Sequence, residues 1–181
     1  PQTYQKNPSN RLIATEQAQR MRISPLMVMQ NLYPIQGRPS WSSQFLIAQV
    51  NNSGKYDIEL QYEETKDANG KPFSCTCWTL KKGVEGMTVD MQMAKDEGWL
   101  GKNGSKWKTM PQLMLRYRAA SFFSRLNCPE LTMGLYTKEE VEDGDFKEYT
   151  IEDVSTQVQS DLENANSQEF MEDEEVPEFA K

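Results

Sequence analysis

The stretch "GKNGSKWKTMPQLMLRYRAASFFSR", Gly101 to Arg125, combines the residue types that hold a polyanion. Six cations (Lys102, Lys106, Lys108, Arg116, Arg118 and Arg125) are interleaved with Trp107, Tyr117, Phe122 and Phe123, and no acidic residue interrupts them. Single-stranded nucleic acid is held by cations that follow the phosphates and by aromatic faces on which bases stack, which requires this interleaving. Gly98, Gly101, Gly104 and Ser105 allow close approach of the backbone. The competing reading is a solvated basic loop leading into a helix whose aromatics are core. Core is the expectation for Tyr117, Phe122 and Phe123, and both readings stand for Trp107. Arg38, beside Gly37 and Trp41 in "GRPSW", is a second candidate contact, to nucleic acid or to a neighbouring subunit.

Other chemistries find less. With no histidine among 181 residues, Ser-His-Asp and Cys-His sites and histidine-ligated metals are excluded. Cys75-Thr-Cys77 lacks two further zinc ligands, and with Cys128 these thiols are read as core. Asp57 with Glu64-Thr65-Lys66 has the residue types of a Mg²⁺-dependent nuclease, but this spacing is common by chance and adjoins a turn where charge is expected for solubility. No phosphate-binding Gly-x4-Gly-Lys-Ser/Thr loop occurs. A non-enzymatic protein without metal or cofactor is expected.

The formal net charge of −7 conceals an uneven distribution. Residues 145–181 hold 12 acidic and two basic residues, while residues 1–144 hold 15 acidic and 18 basic ones. The first segment is therefore read as a mildly basic core domain, able to take a polyanion, and the second as an acidic, disordered tail with Phe170, Val176 and Phe179 as isolated docking points. No apolar run approaches the ~20 residues of a membrane span. The few thiols suggest a reduced, intracellular compartment. A chain starting at Pro1 suggests that a native N-terminal segment precedes it.

The elements that must position the cations follow from periodicity. Helices are expected at Arg11 to Ile23, from Pro25 after a Ser24 cap, and from Ser42 or Ser43 to Val50, with an extended piece and turn at Tyr33 to Pro39. Alternation at Tyr56, Ile58, Leu60 and Tyr62, a turn at Asp67 to Gly70, and alternation from Phe73 to Thr79 predict a β hairpin. A third strand is expected at Val84 to Met87 and a helix at Val89 to Glu97. Thr109 is read as the cap of a helix from Met110 to Leu126 that Cys128-Pro129 terminates. On it Arg118 and Arg125, seven residues apart, share a face. "YTKEEVEDGD" begins a short acidic helix or turn. The fold class is thus α+β, a small antiparallel sheet packed with several helices.

Two blocks, "NLYPIQGRPSWSSQFLIAQVN" (Asn31 to Asn51) and "GWLGKNGSKWKTMPQLMLRYRAASFFSRLNCPELTMGLYTKEEVED" (Gly98 to Asp143), resemble the RecT family of phage recombinases, the RecT/Bet-like single-strand annealing proteins. The resemblance spans residues 1–143, whereas the tail matches nothing in the family. It implies an α+β core with a basic groove that binds single-stranded DNA without sequence preference and anneals complementary strands without ATP, in phage-type homologous recombination. It further implies a ring or helical filament of identical subunits, retention of the annealed duplex, and residence in the bacterial host cytoplasm. A phage exonuclease and the host single-strand-binding protein would be partners. By position, the groove would comprise Lys106, Lys108, Arg116, Arg118 and Arg125. Passive single-strand binding, or nuclease action, are the alternatives.

Overall fold

Asn7 accepts a hydrogen bond from the Asn10 amide and Pro8 occupies the first position of α1 (Pro8–Met21), two features that start a helix where its amides would otherwise be orphaned. The helix ends at Arg22, which adopts the left-handed conformation, φ 55°. α2 (Pro25–Asn31) begins at Pro25, but Ser24 contributes its carbonyl rather than the expected side-chain cap. In this computed structural model, which describes residues 1–35, 37–79, 84 and 86–144, the described residues belong to one compact unit, Pro1–Phe146. The expected acidic tail lies outside them.

The extended piece at Tyr33 is a complete hairpin. β1 (Leu32–Ile35) pairs antiparallel with β2 (Arg38–Trp41), and Gly37 supplies the positive φ of 72° at the turn. α3 (Ser43–Asn52) follows, its first turn capped by the Ser42 hydroxyl as expected. The second sheet has the order β3–β4–β5 and is antiparallel throughout, with β3 (Gln61–Lys66), β4 (Pro72–Trp78) and β5 (Val89–Asp90). The first strand starts later than the alternation suggested, because Tyr56 turns away to pack its ring on Phe123 and donate its hydroxyl to the Asn127 carbonyl. The third strand is at β5, not Val84 to Met87. There Gly86 passes so close to Phe123 and the Cys77 carbonyl that a Cβ would stand 3.1 Å from each.

The remaining helices are α4 (Met91–Asp96), capped by Asp90; α5 (Lys106–Thr109); α6 (Pro111–Asn127); α7 (Pro129–Thr132); and α8 (Lys138–Asp143). Met110, not Thr109, precedes α6, and no side chain caps it. Among the described residues the fold is therefore α+β, helices with two small antiparallel sheets. No helix among them is long and apolar enough to cross a membrane.

Apolar side chains collect in two clusters. One gathers α3, β4, α6 and Trp99 around Phe123, Leu46, Cys75 and Cys77; the other gathers α1, α2 and the first hairpin around Val28, Trp41 and Phe45. The thiols are free and buried, and burial pushes Cys75 and Cys77 up to about 12, so they remain protonated and inert.

Trp41 joins the hairpin to the C-terminal helices. It stacks on Phe45 at 4.6 Å, its indole donates to the Thr132 carbonyl at 3.1 Å, and its amide donates to the Tyr136 carbonyl at 2.9 Å. Trp41→Ala is expected to destabilise the fold by about 3–5 kcal/mol in urea unfolding. A loss below about 1 kcal/mol would remove Trp41 as the joint between the two halves.

Candidate nucleic-acid interface

The long helix α6 carries its two most informative cations inward. Arg118 and Arg125 do share a face, as their spacing predicts, but that face is turned to α8 rather than to solvent. Arg118 is only 7% exposed. Its guanidinium donates to the Asp143 carboxylate at 2.5 Å, lies 3.9 Å from Glu140, and stacks over Trp99 at 3.9 Å. Arg125 bonds Glu140 and lies between the rings of Phe122 and Tyr136, at 5.2 and 4.9 Å, with 32% of its side chain accessible. Trp107, 0% exposed, donates its indole N–H to Asp143 at 2.8 Å. The interleaving of cations and aromatic rings is thus largely an internal cation–π and ion-pair system.

These positions correct two expectations. Trp107 offers no ring face to a base, and Arg118 offers no charge to a phosphate, because desolvating a guanidinium is tolerable only when carboxylates accompany it. Burial pushes the Asp143 carboxyl up and the Arg118 guanidinium down, against the hydrogen bonds and opposite charges that hold both ionised. Glu140 is fixed for this task by a reciprocal cap in which its carboxylate accepts from the Thr137 amide and hydroxyl while its own amide donates to the Thr137 hydroxyl.

Arg116 points elsewhere, to the second sheet. It forms a two-pronged pair with Glu64, at 2.6 and 3.2 Å, lies over Tyr62 at 5.5 Å, and remains exposed. Gln112 donates to the same carboxylate at 2.7 Å, so the glutamate of the nuclease reading is already engaged. Among the described residues no three Asp, Glu, Cys or His side chains group as metal ligands would.

Three lysines remain around the short helix α5. Lys102 donates to the carbonyls of Glu142 and Gly144, at 3.3 and 2.9 Å, and with Lys108 it lines a shallow hollow floored by Gly101, Gly104 and Ser105. Lys108 and Lys106 are exposed. Lys106 borders a different feature, a cleft of about 280 Å³ whose walls include Tyr33 of β1, Gln44 of α3, Met110 before α6, Tyr117 of α6, and Lys138 of α8. Arg38 is exposed at the start of β2, on the hairpin whose other strand carries Tyr33.

The cleft was not legible in the sequence as a site. Tyr33 and Lys138 are more than a hundred residues apart, yet the Lys138 ammonium sits 4.9 Å from the Tyr33 ring centre. Gln44 donates to the Tyr117 hydroxyl at 3.1 Å, and Ser43 donates its hydroxyl and amide to Glu139 at 2.6 and 3.3 Å. The two blocks around Asn31–Asn51 and Gly98–Asp143 therefore meet face to face here.

No family model, curated protein or solved structure matches this chain. The geometry must carry the functional reading.

Arg118→Met should destabilise the protein by about 3–5 kcal/mol in urea, because Asp143 would be left in the interior without its paired guanidinium, while Arg118→Met with Asp143→Leu should recover part of the loss. A single-variant loss under about 1 kcal/mol would show that the pair is not desolvated. Acid should act on the Arg116–Glu64 tie. Arg116, and less so Gln112, hold the Glu64 carboxyl below its ordinary value of 4.5, so the tie stabilises the fold above that pH and is lost as pH falls below it. Glu64→Gln should accordingly flatten the dependence of unfolding free energy on pH below about 4.5, and an unchanged acid profile would assign that dependence to other carboxylates.

Proposed function

We propose that this protein binds single-stranded DNA without sequence specificity and promotes ATP-independent annealing of complementary strands. The observation that carries the proposal is the placement of Lys106 and Lys108 on α5, exposed, between the lysine-lined hollow and the aromatic cleft. Lysines on one short helix are suited to follow a flexible phosphate backbone, since an ammonium acts as a point charge that needs no fixed partner geometry. Such contacts read no bases, which is what sequence-independent binding requires.

Annealing, assembly into a ring or filament, and work beside an exonuclease rest on the resemblance to RecT-family proteins. The groove on this reading is narrower than the resemblance alone implied. Lys106, Lys108 and Lys102 belong to it; Arg118 and Trp107 support it from within by holding α5, α6 and α8 together. No covalent bond is made or broken in the reaction: one strand is held, and pairing with its complement supplies the free energy.

Replacing both Lys106 and Lys108 by Ala should weaken binding to every oligonucleotide alike. The dependence of log affinity on log salt should become shallower by about 0.7 per lost phosphate contact. The same variant should lose acceleration of pairing between two complementary fluorescent oligonucleotides mixed without ATP or Mg²⁺. An unchanged salt slope would remove α5 from the interface. Tight binding by the unaltered chain without faster pairing would leave a passive single-strand binder.

A further inference from the structure

We infer that the cleft beside Lys106 is a subsite for one unpaired nucleobase, with Tyr33 as its stacking platform and Lys106 and Lys138 placed for the flanking phosphates. The inference rests on the binding function proposed above and adds to it which part of the strand the protein grips, and where.

The cleft differs from the lysine hollow in being walled by rings and apolar groups. Leu113, Met114 and Met110 of the α6 segment line it, and Met110 is 48% exposed at its rim. Tyr33 is 38% exposed, so part of its ring is open to a ligand. Hydrogen bonds hold the surrounding groups in place: Tyr117 accepts from Gln44, and Glu139 is anchored by Ser43. A flat, weakly polar ligand with anionic ends matches this lining, because its faces meet Tyr33 and the methionines while its charges meet the lysines at the cleft edge. The volume of about 280 Å³ is at or below the lower limit of pockets for drug-sized ligands, which begins near 300 Å³. One base with its sugar suits that space.

Lys138 is the adjustable element. It now shares its charge between the Tyr33 ring and Glu142, 3.5 Å away and one helical turn on. That exposed pair is weak, so a phosphate arriving with the base can displace Glu142. The polar rim offers both donors and acceptors, from Ser42, Gln44 and Glu139, which suits all four bases rather than one.

A base held here cannot pair at the same time. Each subunit would therefore fix the strand at one nucleotide while its neighbours stay open to a complement. A base already paired in a duplex would not enter this subsite, because it must first be unstacked and unpaired.

The test compares a 30-nucleotide thymidine oligomer with an abasic deoxyribose-phosphate polymer of equal length, by fluorescence anisotropy at moderate salt. The unaltered chain should bind the oligomer about tenfold more tightly than the abasic polymer, the effect of one stacked base. Tyr33→Ala should erase most of that difference and leave abasic binding unchanged, and Tyr33→Trp should restore it. Equal binding of the two polymers by the unaltered chain, or an equal loss on both in Tyr33→Ala, would overturn the base subsite while leaving the phosphate-binding function intact. Binding of neither polymer would overturn both.

Discussion

A guanidinium in a protein interior requires carboxylates beside it, and the rest of this structure follows from how that requirement is met at Arg118. The carboxylates come from α8, a helix of six residues that has little apolar surface of its own. What docks it is charge: Asp143 on Arg118 and Trp107, Glu140 on Arg125, and Lys102 on the carbonyls at its end. Such pairs contribute little net stability compared with apolar packing, but they admit only one arrangement of the partners. The register of α8 against α6 is thereby set, and Lys138 and Glu139 are carried to the cleft on the opposite side.

The same requirement sorts the cations by role. Arginine, planar and able to donate in several directions, occupies the positions where carboxylates and rings converge, at Arg116, Arg118 and Arg125. Lysine occupies the solvent-facing positions, at Lys106 and Lys108. A basic stretch in a net acidic protein thus serves two ends with two residue types. The acidic residues that answer Arg118 and Arg125 follow later in the chain, in "KEEVED", whereas Arg116 is answered from β3 by Glu64.

Local signals in the chain spoke clearly where structure depends on neighbours in sequence. Ser42 as the cap of α3, the turn at Asp67 to Gly70, and the stop at Cys128-Pro129 are each decided within a few residues, and each appears as read. The β1–β2 hairpin reads in the sequence only as a short extended piece and a turn, because its strands are four residues long and carry two prolines, too few positions for alternation to register. Spacing showed that Arg118 and Arg125 share a face; it could not show which way the face points. That depends on Asp143 and Glu140, residues whose own pattern reads as a solvated acidic helix. The cleft was further from reach, since Tyr33, Gln44, Tyr117 and Lys138 come from four separate elements.

One detail of the interior bears on how the protein withstands oxidants. Its thiols are buried and held in the protonated form, so the sulfur atoms open to attack are those of methionine. Met110 is among the most accessible, and it stands at the entrance of the cleft, directly before α6. Conversion to the sulfoxide would place a polar, chiral group at the apolar rim of the cleft, on a residue that belongs to neither core cluster. Peroxide would thus reach the chemistry of this rim before that of the buried thiols, and a sulfoxide reductase would reverse the change.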